Sequence, residues 1–482
     1  MWTLSRKNDS IGSVIITIGG IMMFTKSRIV GIFVLTVLIA GSVFAGGGNQ
    51  QSQQAGGPVT LRVLYYMDAA APNAIADADL WFNTFQRTHN VIIERENLFD
   101  DPYHDKMRAY AAAGDLPDVM YVWPSGRSDY LHNQKLLKDL TPFVNRETGF
   151  RNNYLPLTMD PAQQQAGYLA MIPQGITTTH AFFTNMEVLN AAGLQPARTY
   201  ADLVAQVPVL RAQGKQTVLI PAQSEWVMQS CLFSMVAGRF CGADWEKKIY
   251  NGTLKFTDAP FVNALNFIRQ MYTDGVISQA AVGVDYGDGP GMFARGEGAY
   301  YIDGDWRASA FITDADTGVA LIPPARQSNI RAGVFPEIPG AAINSSSSVI
   351  LGVGYAMSAA IPAGSERERL AWELVKYLTG KEVSQLRTER GGTPTPSRTD
   401  LDFNAMRLEP IQRAIGSLGN TFTTATSVID GVFPSSVFEP INTGLIQLAL
   451  QRQTGAQVAA TVQAAWEAYV RANPTNPYNA KL

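Results

Sequence analysis

Aromatic residues stand beside polar ones at four places in this chain: Tyr65-Tyr66-Met67-Asp68, Trp123-Pro124-Ser125-Gly126, Ser224-Glu225-Trp226 and Asp303-Gly304-Asp305-Trp306. A sugar ring has an apolar C–H face and a rim of hydroxyls. A flat aromatic face flanked by hydrogen-bonding groups matches both. The four clusters fall at the ends of segments that read as strands, and open α/β sheets bind ligands outside the carboxyl ends of their strands. The candidate ligand contacts are therefore Tyr66, Asp68, Trp123, Ser125, Glu225, Trp226, Asp303 and Trp306, while Tyr65 reads as a core aromatic. Trp306 is the sharpest of them. Gly304, with no Cβ, lets the backbone come close to a ligand, and the indole offers a broad face and an N–H donor.

Covalent chemistry finds less support. His89, His104, His132 and His180 are scattered, with no HExxH and no Cys/His spacing of a zinc site. There is no Walker A sequence and no GxSxG, and Gly352-Val353-Gly354 sits inside a strand pattern without a third glycine. Asp314-Ala315-Asp316-Thr317-Gly318 resembles a calcium loop, but its glycine stands one position early and no glutamate follows at the right distance. No metal, no cofactor and no catalytic residue is expected. Asp303, Asp305 and Glu225 leave one alternative open, an exported carbohydrate-active enzyme working through paired carboxylates.

The elements that must position these residues alternate. Val59–Met67, Val91–Glu94 and Asp118–Trp123 have strand character, and between them Ala78–Thr88 and Tyr103–Ala113 have helical periodicity. That alternation predicts βαβ units and a parallel sheet. Long helices are predicted over Ala259–Tyr272, Glu366–Leu378 and Thr454–Val470, with strands at Ala299–Ile302 and Val349–Met357. The Pro-, Gly- and Ser-rich stretch Pro323–Ser348 predicts a long exposed loop.

The start of the chain sets the compartment. Lys26 and Arg28 precede an apolar run, Ile29–Ala40, and then Val43-Phe44-Ala45, which is the pattern of a signal peptide cut before Gly46. Residues 1–45 read as that leader, with the true start at Met22 or Met23, and 46–57 as a flexible linker. No cysteine stands near the cut, so the exported protein is expected unlipidated, in a periplasm. Arg6, Lys7, Lys26 and Arg28 against Asp9 give the leader +3; the whole chain is −3, leaving −6 on residues 46–482. A mildly acidic body of this kind gives no reason to expect nucleic acid as a partner. Cys231 and Cys241 are the only cysteines; they reach disulfide distance only if the chain turns back between them.

Several of these segments carry a resemblance. Leu116-Pro117-Asp118-Val119 to Trp123 and Leu136-Leu137-Lys138-Asp139-Leu140-Thr141-Pro142-Phe143 resemble the family 1 extracellular solute-binding proteins, relatives of maltose-binding protein. So do Gly167–Pro173 with Phe182-Phe183-Thr184-Asn185, Met292-Phe293-Ala294-Arg295-Gly296-Glu297 leading to Gly304-Asp305-Trp306, and Gly391-Gly392-Thr393-Pro394. The resemblance implies an α/β, two-lobed periplasmic-binding-protein fold of the Venus-flytrap type, with crossover hinge strands. It places one lobe at 58–172 plus 350–392 and the other at 175–348 plus 395–482. It implies a monomer that captures a carbohydrate between its lobes and hands it to the membrane subunits of an ABC permease; a ligand sensor for a signalling receptor is the other role such a protein fills. Asp68, Trp123, Ser125 and Trp306 fall where the family places ligand contacts, Glu225 and Trp226 more loosely. The first crossover reads Gly175-Ile176-Thr177-Thr178-Thr179, without the acidic residue of maltose-binding protein, which argues against maltose itself.

Overall fold

The computed structural model describes residues 57–124, 126–392 and 395–474. The leader and most of the linker lie outside them. Ten strands follow along the described chain: β1 (Val59–Tyr66), β2 (Val91–Leu98), β3 (Val119–Val122), β4 (Met171–Thr178), β5 (Ala181–Asn185), β6 (Gln216–Leu219), β7 (Gly298–Asp303), β8 (Ile330–Gly333), β9 (Ser346–Met357) and β10 (Thr424–Ser427). They form two sheets. The first runs β10-β9-β3-β1-β2 with β4 also on β9, and the second runs β6-β7-β5-β8.

β3, β5 and β7 are buried on both faces, which explains their near-continuous apolar sequences. In β1, Leu61, Val63 and Tyr65 pack against Trp81, Phe82 and Phe85 of helix Ala74–His89 and Leu374 and Val375 of helix Glu366–Leu378. Leu64 points the other way, into Tyr103 and Met107 of helix Asp100–Ala113. Residues 78, 81, 82 and 85 share one face by helical spacing, so the predicted helix stands, extended to Ala74. Glu366–Leu378 agrees residue for residue, and its start is fixed by the Ser365 side chain accepting from the Glu368 N–H.

β1, β2 and β3 run parallel as predicted, but β9 enters the same sheet antiparallel to β3, so the sheet is mixed. β9 is long because it belongs to a crossing. It pairs antiparallel with β4 from Met171↔Ala356 to Thr178↔Val349, and β4 leads directly to β5 in the second sheet. The segment at 395–397 joins them, with Ile176 N–H donating to Thr395 O and Ser397 N–H to Gln174 O. Gly354 stands where β4 crosses closest: a Cβ there would lie 2.0 Å from the Ile172 carbonyl oxygen. The Gly352-Val353-Gly354 pattern is therefore a packing requirement of the crossing.

Pro323–Ser348 is not the exposed loop its composition suggests. It holds helix Pro324–Gln327 and β8, and it buries Phe335 and Ile338. Arg239, fully buried, gathers the segment by donating to the carbonyls of Phe335, Pro336 and Ser346. Cys231 and Cys241 are free and buried; helical turns run without a break from Met228 to Cys241, so the chain does not turn back between them.

Candidate functional site

Between the two sheets lies a cavity of about 240 Å³. The end of β1 supplies Tyr65, Tyr66 and Asp68, the segment after β3 supplies Trp123 and Arg127, and helix Ala74–His89 supplies Trp81. From the second sheet come Trp226, Tyr286 and the turn after β7, with Asp305, Trp306 and Arg307. The crossing strands and helix Lys381–Glu389 close the remaining sides.

Aromatic rings brace one another around it. Tyr66 stacks on Tyr121 at 5.7 Å and meets Trp123 edge-on at 5.2 Å. Trp226 packs edge-on against Tyr286 at 5.0 Å and lies 6.1 Å from Trp306. His132 holds the Trp123 loop, its Nε2 2.8 Å from the Trp123 carbonyl oxygen. Burial pulls its pKa down to about 4, so it serves as a neutral donor.

The turn after β7 is organised from behind by Asp303. This carboxylate is fully buried and accepts from Arg307 Nε (2.8 Å), Tyr301 O–H (2.6 Å), Tyr286 O–H (3.2 Å) and Gly304 N–H (2.7 Å). Tyr286 in turn accepts from Trp306 Nε1 at 2.6 Å. Trp306, Tyr286, Asp303 and Arg307 thus form one hydrogen-bonded chain that fixes the indole and the guanidinium in the wall. The Arg307 guanidinium lies over the Tyr286 ring, 3.9 Å from its centre, and reaches to within 3.8 Å of Asp68. Asp305, also in the cavity wall, ties it to the crossing strand: its Oδ2 accepts from Thr178 N–H, and burial pushes its pKa up to about 7.

Of the residues singled out from sequence, Tyr66, Asp68, Trp123, Trp226 and Trp306 share this cavity wall. Three expectations need correction. Asp303 does not line the cavity; its oxygens are taken up by the residues that do. Glu225 is exposed and accepts from Thr443, because it opens the short helix Glu225–Val227 and one helical step turns it about 100° away from Trp226. Gly304 does not bring backbone to a ligand: a Cβ there would lie 2.1–2.4 Å from the Trp306 ring, so the glycine is the seat of the indole. The indole N–H, spent on Tyr286, leaves Trp306 only its face to offer. Ser125, Thr393 and Pro394 lie outside the described residues. Tyr65, read as core, is 5% exposed and borders the cavity as well.

Sequence reasoning missed the arginines. Arg127 pairs with Asp430 at 2.6 Å and covers Trp226 at 5.4 Å, and Arg390 pairs with Asp77. Arg307 directly follows Trp306, Arg127 directly follows Trp123-Pro124-Ser125-Gly126 and Arg390 directly precedes Gly391-Gly392, so all three were within reach of the motifs; Arg387 and Asp430 come from segments with no local pattern to mark them.

Comparison with solved structures shows what this arrangement resembles. A protein structure from work on xylan utilization by the thermophilic bacterium Caldanaerobius polysaccharolyticus superposes with a TM-score of 0.74 at 19% identity, covering 84% of this chain and 99% of that one. A chitin oligosaccharide binding protein gives 0.73 at 18% identity over 85% and 99%. The GacH receptor of Streptomyces glaucescens, studied unliganded and with acarbose, gives 0.66 at 18% over 86% and 98%. A search of curated protein sequences returns no match. At these identities the structures establish the two-lobed fold. The sequence profile of bacterial extracellular solute-binding proteins matches residues 67–385, from the end of β1 to the helix that closes the cavity. The chain belongs to that family of secreted or periplasmic binding proteins.

Proposed function

We propose that this protein is the capture component of an ABC-type importer, and that it closes its two lobes on a sugar or oligosaccharide without altering it. The observation that carries the reading is the cavity between the sheets, walled by braced aromatic faces with Asp68 and Arg307 beside them. The sugar-binding proteins among the structural neighbours support it. The lobes are residues 58–172 with 350–392 and residues 175–348 with 395–482. On that division, Arg127–Asp430, Ser224–Asp100 and Asn73 with Thr313 and Ala315 are contacts made across the cleft. A ligand touching both lobes adds to them and favours the closed form.

The hydrolytic alternative rested on Asp303, Asp305 and Glu225, and a glycosidase needs two carboxyl groups facing its substrate. Asp303 faces Arg307 and two phenols and Glu225 is exposed beside Thr443, so of the three only Asp305 reaches the cavity wall.

A thermal-shift screen against mono- and oligosaccharides tests the reading, since a ligand that binds only the folded state raises its stability. Small-angle scattering with any sugar that scores should then show a smaller radius of gyration. An unchanged profile for a confirmed ligand would refute lobe closure.

Export follows the same reading. The mature protein begins at Gly46, carries no lipid and works free in the periplasm as a monomer. N-terminal sequencing of the periplasmic fraction should find Gly46; recovery only from detergent-extracted membranes would rule this out.

A further inference from the structure

Four arginines stand in the cavity wall, and three have a carboxylate of their own. Arg127 is paired with Asp430, Arg307 with Asp303 and Arg390 with Asp77. Arg387 is not: it forms no ion pair with any Asp or Glu among the described residues, although it is only 4% exposed. Its Nη1 donates to the Leu378 carbonyl (3.1 Å) and its Nη2 to the Tyr355 hydroxyl (3.0 Å). Its guanidinium lies 4.6 Å from the centre of the Trp81 ring and 5.7 Å from that of Tyr355.

Each of these partners is electrically neutral. Burial holds the Tyr355 phenol well above its ordinary pKa, so it stays protonated. Leu378 ends helix Glu366–Leu378, and its carbonyl bears a partial negative charge. The ring faces add some cation–π attraction. Neither amounts to a counter-ion, and a buried charge without one is strongly disfavoured. None of the aspartates nearby is bonded to it. Asp77 feels the Arg387 charge, but its carboxylate is paired with Arg390; Asp430 is held by Arg127, Asp305 takes the Thr178 N–H, and Asp68 stands beside Arg307. A guanidinium has five N–H donors, and the neutral partners Leu378, Tyr355 and Tyr65 do not use all of them. Across the cleft, Arg307 Nη2 is buried without a partner.

We propose that the ligand is an acidic sugar and that Arg387 is the counter-ion of its carboxylate, with Arg307 Nη2 available as a second donor. This rests on the sugar-capture reading above and narrows it to uronic acids or oligosaccharides that carry them. A planar carboxylate is the group a guanidinium fork fits best.

Titration calorimetry on the exported protein with matched pairs tests it: galactose against galacturonate, glucose against glucuronate, and galactobiose against digalacturonate, with glucose 6-phosphate and glucose 6-sulfate as other anions. At least one acid should bind ten-fold or more tighter than its neutral partner. Arg387→Gln should abolish that preference, so that the acid binds no tighter than its neutral partner, with the melting curve reporting whether the variant is folded. The wild-type comparison stands even if the variant does not fold. Neutral sugars binding as tightly as their acids would overturn the inference and leave sugar capture intact. Tightest binding of the phosphate or sulfate ester would overturn the carboxylate assignment. Binding of none of the panel would count against sugar capture itself, and this inference would fall with it.

Discussion

Asp305→Asn should make the protein more stable than wild type at pH 8 while changing the balance little at pH 4. The reason is the position of one proton. In the unfolded chain this carboxyl loses its proton near 3.8, and in the folded protein, where burial disfavours the charge, near 7. Between those values the folded state holds the extra proton, so stability falls as pH rises through the interval and the loss is complete above pH 7. The separation corresponds to about 4 kcal/mol at most. Asparagine retains an oxygen to accept from Thr178 N–H and carries no charge to bury. Asp77 and Asp129, both raised to about 6, act with the same sign in both proteins and cancel in the comparison. Urea unfolding of the two proteins at pH 4 and pH 8 measures the effect. Parallel profiles would mean that Asp305 is ionised in the fold at little cost.

Trp306→Ala should weaken the binding of any sugar that scores in the thermal screen by roughly 10- to 100-fold. That is the ~1–3 kcal/mol typical of aromatic stacking on flat ligands. Melting should move far less than the ~3–5 kcal/mol expected for a fully buried tryptophan, such as Trp245. Trp306 is half-buried: one side lies on Gly304, and its N–H is held by Tyr286. Gly304→Ala makes an independent version of the same test. Its Cβ enters the space of the ring, so binding should fall although the tryptophan remains. Normal sugar affinity in a folded Trp306→Ala protein would remove this residue from the site.

The elements were legible in the sequence wherever burial imposed a period. Ala259–Tyr272 and Thr454–Val470 each fall within two residues of the helices observed, Ala259–Thr273 and Gly455–Ala472. Composition misled at Pro323–Ser348, because the partners that bury it lie far away in sequence: β5 pairs with β8, Phe335 packs on Phe182 and Phe267, and Arg239 gathers its carbonyls. The same limit governs the site. Aromatic residues adjacent to strand ends could be read, since local order places them. Asp303 and Glu225 have suitable chemistry and neighbouring positions, yet one faces inward to Arg307 and the other outward to Thr443. Pairings such as Arg127 with Asp430 connect residues some 300 positions apart, and no local pattern encodes them.

The crossing strands also set a schedule. β3 is complete at Val122, but its antiparallel neighbour β9 begins only at Ser346. During synthesis at roughly 5–20 residues per second, the intervening chain takes on the order of ten seconds or more to appear. Throughout that interval β3 has an unpaired edge, the first sheet lacks the strand on which β3, β4 and β10 all pair, and β4, once made, has nothing to cross against. The nascent chain therefore cannot finish folding from its N-terminus onward. It stays threadable while most of it is being made, and that interval is when a membrane channel that passes only unfolded polypeptide would have to receive it.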